Sequence, residues 1–285
     1  MKKKVCLVLE GGAMRGMYTA GVIDTFLDNN INIDCIVGVS AGALFGANYF
    51  SNQKGRALRY NKKYCKDKRY ISINSLLKTG NIINKDFAFY KITNELDLFD
   101  NDTFIKNNKD YYVVITNVET GKAEYVNIKN VVENLEVLRA TSAMPLVSKM
   151  VDINGNKYLD GALADSIPVD FAKDMGYDKI IVVLTRPLNY RKEPFSKLAT
   201  CFINLKYKKY PVLKEVIKNR YIKYNEQVEK FIDMENRGEI FVIRPSKKVD
   251  ISRLEKDENK LQEMYDLGIN NSKKLLNNLK KYIEK

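Results

Sequence analysis

The sequence Gly38-Val39-Ser40-Ala41-Gly42 lies between an apolar run, Ile33 to Val37, and a second apolar run that continues to Phe50. The first run predicts a short buried strand and the second a helix, so Ser40 stands where a strand turns into a helix. In a G-x-S-x-G elbow the flanking glycines permit a sharp turn that lifts the serine hydroxyl out at the strand's carboxyl end. The stretch therefore predicts a strand–turn–helix unit with a candidate nucleophile at its apex.

A second strand–turn–helix pattern precedes this elbow. Lys4 to Leu9 predicts a buried strand, and Met17 to Asn29 predicts a helix that follows a glycine-rich turn. Further apolar runs predict strands at 111–116, 179–185 and 240–243. Strands that alternate with helices indicate parallel pairing and a sheet covered on both faces. The predicted fold class is therefore α/β, with three α/β/α layers around a mostly parallel central sheet.

The remaining segments predict one main domain and an extension. Helices are predicted at 132–141 and 169–175, and a hairpin at 151–159. Residues 52–108 are polar, with weak helical periodicity only around 85–96, and are interpreted as an insertion in a catalytic domain that spans residues 1–188. Residues 189–285, with helices predicted at 211–236 and 258–283, are expected to form a basic, mainly helical C-terminal extension packed on that domain.

The positive charge is concentrated in this extension. The whole chain has a formal net charge of +13, and residues 189–285 carry 23 Lys and Arg against 14 Asp and Glu. A basic surface favours contact with anionic lipid or nucleic acid through long-range attraction. Lysine-rich helices that merely face solvent explain the same composition equally well.

The chain contains no histidine. A Ser-His-Asp hydrolase needs an imidazole to accept the serine proton, so that class is excluded. Either Ser40 is not a nucleophile, or a carboxylate activates it directly. Asp160 is the leading candidate because it follows the predicted hairpin, which Asn154-Gly155 turns, and so stands where a strand ends. Burial would raise the basicity of such a carboxylate. Its local competitors are Asp152, Asp165 and Asp170.

The loop after the first strand is Glu10-Gly11-Gly12-Ala13-Met14-Arg15-Gly16. Successive small residues can aim several backbone N–H groups into one concavity, the geometry that stabilises a developing oxyanion. The loop also approaches the dinucleotide pattern G-x-G-x-x-G, but Ala13 replaces its middle glycine and Asp34 begins the next strand instead of closing it. There is no P-loop lysine either. An oxyanion loop is therefore favoured over a nucleotide-binding loop.

Cysteine usage and hydropathy restrict the cofactors and the location. The four cysteines are far apart and form no C-x-x-C pair, which favours free thiols over disulfides or a zinc site. We expect no metal and no other cofactor. The apolar run after Lys4 ends at Glu10, too early for a signal peptide. The uncharged stretch 35–53 contains several glycines and the elbow, which argues against a membrane span. We expect a cytoplasmic protein.

Four motifs together resemble one known family. They are the glycine-rich loop with Arg15, the elbow around Ser40, the segment Ala140-Thr141-Ser142-Ala143-Met144-Pro145, and Asp160-Gly161-Ala162. In this order, in a chain without histidine, they resemble the patatin-like phospholipase family over about residues 4–183. The tail resembles a bacterial subfamily in Tyr210-Pro211, Arg220, Tyr224-Asn225 and Ile243-Arg244-Pro245-Ser246.

The resemblance implies a patatin-like α/β/α fold and calcium-independent release of fatty acids from phospholipid, lysophospholipid or related lipid esters. Carried over by position, Ser40 is the nucleophile and Asp160 the base of a Ser-Asp dyad that forms an acyl-enzyme. Gly11, Gly12 and Ala13 become the oxyanion-hole donors, with Arg15 beside them as a substrate-binding residue. Ala13 stands where this loop usually has a third glycine, so the backbone N–H is kept while the approach of bulky acyl groups tightens.

Two other functions stay open. The same dyad would serve an acyltransferase that passes the acyl group to an acceptor other than water. The segment 206–210 interleaves lysines with tyrosines, as nucleic-acid-binding surfaces do, so a non-catalytic basic module that binds lipid or nucleic acid is the alternative outside catalysis. We expect a lipid ester as substrate, peripheral contact with an anionic membrane surface at the inner face of the membrane, and no nucleic-acid partner.

Overall fold

The computed structural model describes residues 3–285. Eight strands of this part of the chain form one sheet. The strands are β1 (Val5–Leu9), β2 (Cys35–Val39), β3 (Asp110–Asn117), β4 (Ala123–Asn127), β5 (Val151–Ile153), β6 (Asn156–Asp160), β7 (Lys179–Val183) and β8 (Ile240–Ile243). Strands that are neighbours in the series β5-β6-β3-β2-β1-β7-β8 pair with each other, and β4 also pairs with β3. The pairs β3–β2, β2–β1, β1–β7 and β7–β8 are parallel. The pairs β3–β4, β3–β6 and β5–β6 are antiparallel. The predicted α/β class with a mostly parallel sheet is confirmed.

Helices cover both faces of the sheet. They are α1 (Met17–Asp28), α2 (Ala41–Phe50), α3 (Arg56–Tyr64), α4 (Ile73–Thr79), α5 (Asn101–Asn107), α6 (Leu135–Thr141), α7 (Val169–Asp174), α8 (Lys197–Lys206), α9 (Pro211–Asn236) and α10 (Glu258–Glu284). Along β1, Leu7 and Leu9 belong to one apolar core, and Cys6 and Val8 belong to a second. Alternate side chains of a strand point to opposite faces, so the two cores are the two interfaces of a three-layer fold.

Strand β2 differs from its prediction by two residues at each end. It runs through Gly38 to Val39, whereas the sequence predicts an end at Val37. Gly38 stays in the ladder, where it pairs with Leu9. A Cβ on Gly38 would lie 2.6 Å from the Cα of Ala43, so this glycine permits close packing of the strand against α2 instead of ending the strand.

The polar segment 52–108 is more helical than its periodicity indicates. It contains α3, α4, α5 and a π-helix, Asp86–Leu96, which coincides with the weakly periodic stretch. Arg56 ties this segment together because its buried guanidinium donates to the backbone oxygen of Asp97 and stacks on Tyr60 and Phe99. Such long-range contacts stabilise short helices whose own sequence predicts them poorly.

The C-terminal residues complete the sheet and one of its covering layers. β8, at its predicted position, pairs in parallel with β7. Helix α10 crosses α1 closely at two glycines. A Cβ on Gly21 would lie 2.2 Å from the backbone oxygen of Tyr265, and a Cβ on Gly268 would lie 2.2 Å from the backbone oxygen of Tyr18. α8 and β4 have no counterpart among the predicted elements. The domain boundary after residue 188 stays a prediction.

Candidate active site

Ser40 occupies the turn between β2 and α2 in a strained backbone conformation. Its φ is +53° and its ψ is −125°, values that side chains other than glycine rarely adopt. The hydroxyl of Thr141 accepts a hydrogen bond from the Ser40 N–H at 2.9 Å and donates to the Val114 oxygen. A Cβ on Gly42 would lie 2.5 Å from the Leu9 oxygen, so α2 begins directly against the end of β1. These contacts hold the turn in place.

The Ser40 hydroxyl donates to Oδ2 of Asp160 at 3.0 Å. The other carboxylate oxygen, Oδ1, accepts the N–H of Ala162 at 2.9 Å, which fixes the orientation of the carboxylate. Both side chains are buried, with Ser40 7% and Asp160 5% exposed. The structure thus brings the predicted nucleophile and the predicted base into direct contact.

Strand register explains this contact. β2 pairs with the first half of β3 and ends with Val39 opposite Val114. β6 approaches from the opposite direction along the same edge of β3 and ends with Asp160 opposite Ile115, the next residue. β4 pairs with the other edge. The two strands therefore meet end to end, and the residues that terminate them become neighbours.

Burial raises the pKa of Asp160 above that of a free aspartate. The positive charge of Arg220, the Ala162 N–H and the Ser40 hydroxyl each lower that pKa, but burial has the largest effect. Arg220 lies on α9, and its Nε donates to the Ala162 oxygen at 2.6 Å, so it also supports the turn that follows Asp160. A raised pKa makes the carboxylate a better proton acceptor for a hydroxyl.

The three competing carboxylates have other partners. Asp165 accepts from the Tyr125 hydroxyl and from Gln227. Asp170 forms an ion pair with Lys230, and Asp152 accepts the N–H of Gly155 in the hairpin turn. Among these four aspartates, Asp160 is the one that contacts Ser40.

The predicted oxyanion loop lies beside the serine. A Cβ on Gly11 would lie 2.8 Å from the Ser40 Cβ and 3.6 Å from its Oγ, so the backbone of Gly11 passes directly against the nucleophile. Within residues 3–285 the N–H groups of Gly11 and Gly12 donate to no protein acceptor. Ala13 has a φ of +49°, in the left-handed region, and begins a 3-10 turn that extends to Gly16.

Glu10 anchors this loop, a role that the sequence does not reveal. Its Oε2 accepts from the Thr185 N–H and hydroxyl, at the end of β7, and its Oε1 accepts from the Tyr224 hydroxyl on α9 at 2.9 Å. The carboxylate is 4% exposed. It therefore joins the ends of two central strands to the C-terminal part of the chain, next to the oxyanion loop.

A cavity of about 300 Å³ opens at the Ser40–Asp160 pair. Its lining includes the apolar side chains of Met144, Pro145, Leu146, Val147, Phe195 and Leu254. It also includes the cationic side chains of Arg15, Arg186, Lys192, Arg220 and Arg253. Of these cations, only Arg15 and Arg220 are singled out by sequence motifs. A lining that combines apolar and cationic side chains around a nucleophile suits an amphiphilic ester.

Three of the five residues of the basic segment 206–210 bond to other parts of the chain, while Lys208 and Lys209 are exposed. Tyr207 is fully buried and its hydroxyl accepts the Leu146 N–H, while Lys206 donates to the oxygens of Leu146 and Ser148. Tyr210 accepts from Lys157. In this arrangement Tyr207 offers no free ring face on which a nucleic-acid base can stack.

Residues 3–285 contain neither a cluster of metal ligands nor a helix suited to span a membrane. Within residues 3–285 no group of three or more acidic, cysteine or histidine side chains has an arrangement that could hold a metal ion, and the four cysteines are free thiols. In the same part of the chain, no helix combines the length and the apolar character needed to cross a membrane.

Comparisons with known proteins show which family the chain resembles. The family model described as patatin-like phospholipase matches residues 7–173, which is more than half of the chain. A second family, described as a domain of unknown function (DUF6363), matches residues 210–284. The uncharacterized protein YjjU of Escherichia coli K12 is 30% identical over 189 residues, which cover 65% of this chain and 52% of that protein.

More distant similarities extend to eukaryotic proteins. Lysophospholipase nte1 of Aspergillus niger is 27% identical over 192 residues, covering 64% of this chain and 12% of that protein. Patatin-like phospholipase domain-containing protein 7 of Rattus norvegicus is 24% identical over 183 residues, which cover 63% of this chain and 13% of that protein. The chain thus spans about half of the E. coli protein and about one eighth of these two. Among solved structures, VipD from Legionella pneumophila aligns with a TM-score of 0.47 and 10% identity, covering 98% of this chain and 67% of that one.

Proposed function

The chain belongs to the patatin-like phospholipase family, and from that membership we propose that it is a serine acyl hydrolase that releases fatty acids from phospholipid, lysophospholipid or related lipid esters. The observation that carries the proposal is the 3.0 Å hydrogen bond from Ser40 to Asp160 inside a partly apolar cavity. The chain has no histidine, so a carboxylate is the available base for the serine. The lysophospholipases among its relatives support a lipid substrate.

In the acylation step, Oγ of Ser40 bonds to the ester carbonyl carbon while its proton passes to Oδ2 of Asp160. The carbonyl π electrons move to the oxygen, and the resulting oxyanion accepts hydrogen bonds from the backbone amides of Gly11, Gly12 and Ala13. The tetrahedral species collapses, the alcohol leaves with the proton from Asp160, and the acyl group remains on Ser40.

Deacylation repeats the sequence with water. Asp160 accepts a proton from water as the water oxygen bonds to the acyl carbon, and the fatty acid leaves as the proton returns to Ser40. Arg220 is a positioning residue in both steps, since it supports the Ala162 carbonyl and its charge acts on Asp160.

The surface around the cavity supports peripheral contact with a membrane. Two helices flank the segment 144–147 that lines the cavity: Ile82, three residues after the end of α4, bonds to Val147, and Lys206 at the end of α8 bonds to Leu146. Each helix exposes large apolar side chains, namely Ile73 and Leu77 on α4 and Leu198, Phe202 and Leu205 on α8. With a net charge of +13, this surface suits an anionic bilayer.

Vesicle sedimentation tests the membrane contact. We expect binding to vesicles that contain anionic lipid to exceed binding to neutral vesicles and to weaken at high salt. A Leu77→Ser, Phe202→Ser double variant should bind less, because both side chains are exposed and their loss removes apolar contact without disturbing the core. Equal binding of parent and variant to both kinds of vesicle contradicts this part of the proposal.

Labelling with a fluorophosphonate tests the nucleophile. We expect the parent protein to be labelled and the Ser40→Ala variant to be unlabelled and inactive toward a short-chain p-nitrophenyl ester. Ser166→Ala is the matched control, because Ser166 also lines the cavity but donates its hydroxyl to the Ala162 oxygen. If labelling persists in Ser40→Ala and disappears in Ser166→Ala, then Ser166 is the nucleophile and our assignment of Ser40 is wrong.

A further inference from the structure

Five cations line the catalytic cavity and are called the cation cluster here: Arg15, Arg186, Lys192, Arg220 and Arg253. In the described part of the chain, none of the five pairs with a carboxylate, although ion pairs are common elsewhere on this protein. Solvated lysines and arginines on a surface readily go unpaired, but these side chains converge on the walls of one cavity. Their arrangement therefore calls for a specific explanation.

Neutral groups hold these cations in place. The Lys192 Nζ lies 3.5 Å from the centre of the Tyr224 ring, and the side chain of Asn225 brackets the Lys192 backbone with hydrogen bonds of 2.8 and 3.0 Å. The guanidinium of Arg186 lies 4.1 Å from the centre of the Tyr190 ring. Aromatic faces attract a cation and leave its N–H groups available.

The remaining cations also keep donors free. Arg253 is attached to the oxyanion loop through its backbone, since its oxygen accepts the Met14 N–H, while its side chain bonds to no protein atom of residues 3–285. The Nε of Arg15 is buried and has no hydrogen-bond partner in the same residues. Buried donors almost always have acceptors, so the free N–H groups indicate a ligand with several acceptor oxygens.

The charges of the cluster act on each other. Burial and the charges of Arg186 and Arg253 lower the pKa of Arg15 to about 10. Burial, and then Arg220, lower the pKa of Lys192 far below that of a free lysine. The nearby carboxylates are already engaged, Glu10 by Thr185 and Tyr224 and Asp160 by Ser40 and Ala162. A bound anion would relieve this repulsion.

Four of the five residues of the cluster also line a second, larger cavity. This cavity has a volume of about 860 Å³ and shares Arg186, Tyr190, Lys192, Phe195, Arg220 and Arg253 with the catalytic cavity. Its further lining includes Arg191, Lys247 and Lys248 and the single carboxylate Glu193. The cavity that contains Ser40 and this more basic cavity therefore adjoin at the four shared cations.

We propose that the cation cluster binds the phosphate of an acyl-glycerol phosphomonoester while the acyl ester of the same molecule lies at Ser40. This inference rests on the proposed function, because it assigns the substrate class of that site. A phosphomonoester carries between one and two negative charges at neutral pH and presents three acceptor oxygens, which match several free donors. A choline headgroup would add a cation to a lining that already holds four arginines. Lys192, Arg220 and Arg253 come from residues 189–285, so this part of the chain confers the headgroup preference.

Three lysolipids with one acyl chain test the preference: a 1-acyl-glycerol 3-phosphate, the 1-acyl-glycerol without phosphate, and the 1-acyl-glycerophosphocholine. Release of fatty acid gives kcat/KM for each, below the concentration at which micelles form. We expect the phosphomonoester to exceed both of the others by at least about tenfold, the effect of one charge-assisted hydrogen bond or more. Equal kcat/KM values for the three lipids would overturn the proposal.

Variants then assign the preference to the cluster. Arg253→Gln and Arg186→Gln should each lower the ratio of kcat/KM for the phosphomonoester to kcat/KM for the monoacylglycerol about tenfold. Two variants are used so that the test still works if one of them fails to fold. Lys223→Gln is the matched control: it removes the same charge from an exposed position on α9 that lines neither cavity. An unchanged ratio in both folded arginine variants contradicts the assignment.

A binding measurement separates this inference from the proposed function. Ser40→Ala cannot turn over substrate, yet it should bind glycerol 3-phosphate in calorimetry, and Arg253→Gln in the same background should weaken that binding. Binding without any ester hydrolysis by the parent would reject the hydrolase and keep the phosphate site. If inorganic phosphate changes p-nitrophenyl ester turnover while the three lipids are cleaved equally, the site serves a free ion and the substrate assignment is wrong.

Discussion

The Ser40 hydroxyl donates to Oδ2 of Asp160 across 3.0 Å, although 120 residues separate the two in the chain. Neither loop alone creates this contact. β2 and β6 end at adjacent positions along one edge of β3, opposite Val114 and Ile115, and this register brings the two side chains together. The geometry of the pair therefore depends on the backbone of β3 and on the turns that follow the two strands.

Gly161→Ala should disrupt this junction. A Cβ on Gly161 would lie 2.1 Å from the Val114 oxygen, a backbone atom in the centre of the sheet that cannot move aside cheaply. We expect a loss of about 3 kcal/mol or more in the free energy of unfolding, at the upper end of overpacking effects. Thermal unfolding and soluble yield measure it. Gly155→Ala in the hairpin turn, where nothing lies within 4 Å, is the control and should cost much less despite its positive φ. Similar losses in both variants would contradict this account.

Thr141→Val should destabilise the elbow and slow catalysis together. The Thr141 hydroxyl accepts the Ser40 N–H and donates to Val114, so valine leaves a buried donor and a buried acceptor unpaired at nearly constant volume. One such unpaired group costs about 1–3 kcal/mol. Thr141→Ser keeps the hydroxyl and should restore most of the stability and the kcat. If valine and serine behave alike in thermal unfolding and ester turnover, the hydroxyl does not hold the turn.

The sequence predicts those parts of the site that local pattern encodes. The elbow is recognisable because an apolar strand, two glycines and an apolar helix surround Ser40, and Asp160 is recognisable because Asn154-Gly155 turns the hairpin before it. The extra two residues of β2 escape prediction because Gly38 is a strand breaker by propensity and is kept in the ladder by packing against Ala43.

The rest of the site depends on contacts between distant segments. Nothing near Glu10 indicates that Tyr224 and Thr185 bind its carboxylate, since 214 and 175 residues separate the partners. Lys192 and Arg253 look like ordinary surface cations in a basic extension, and only the tertiary fold places them on the wall of the catalytic cavity. β4 is missed for a related reason: none of its residues is buried, and a strand without buried positions gives a weak apolar signal in the sequence.

Tyr224→Phe should loosen the oxyanion loop. The variant removes the hydroxyl that donates to Glu10, leaving a buried carboxylate with one partner fewer. Hydrogen bonds to charged groups contribute about 1.5–3 kcal/mol, so we expect a loss of this size in stability and a lower kcat on a p-nitrophenyl ester. Tyr190→Phe is the control, because the Tyr190 hydroxyl bonds to no protein atom of the described residues. If the two substitutions lower stability and kcat equally, the hydrogen bond from Tyr224 to Glu10 does not stabilise the oxyanion loop.

The acid limb of the pH–rate profile should report Asp160. Burial raises its pKa, so kcat/KM on a neutral p-nitrophenyl ester should fall, as pH decreases, at a midpoint above the ordinary aspartate value of about 3.9. Arg220 contributes the largest opposing effect, so Arg220→Gln should move this limb to still higher pH. Lys223→Gln should leave it in place. A limb that stays fixed in Arg220→Gln would show that another group titrates.

Asp160→Asn should abolish turnover and yet stabilise the folded protein at pH 8. The pKa of Asp160 is raised on folding, so its contribution to stability is fully present below the unfolded-state pKa and is lost as pH rises through the folded-state pKa. Above that value the parent buries a carboxylate, a cost that asparagine avoids. The amide oxygen can still accept the Ala162 N–H while its NH₂ group donates to Ser40 Oγ, so the local hydrogen bonds survive in altered form.

The melting temperature of Asp160→Asn should therefore exceed that of the parent at pH 8, and the difference should narrow as pH falls through the folded-state pKa. Asp165→Asn is the control, since that carboxylate accepts from Tyr125, Gln227 and the Ile167 N–H and its replacement offers no gain. A difference in melting temperature between Asp160→Asn and the parent that stays constant from pH 8 to pH 4 would mean that burial of the charge does not set the stability of this site. In that case the basicity that the proposed mechanism assigns to Asp160 would need another origin.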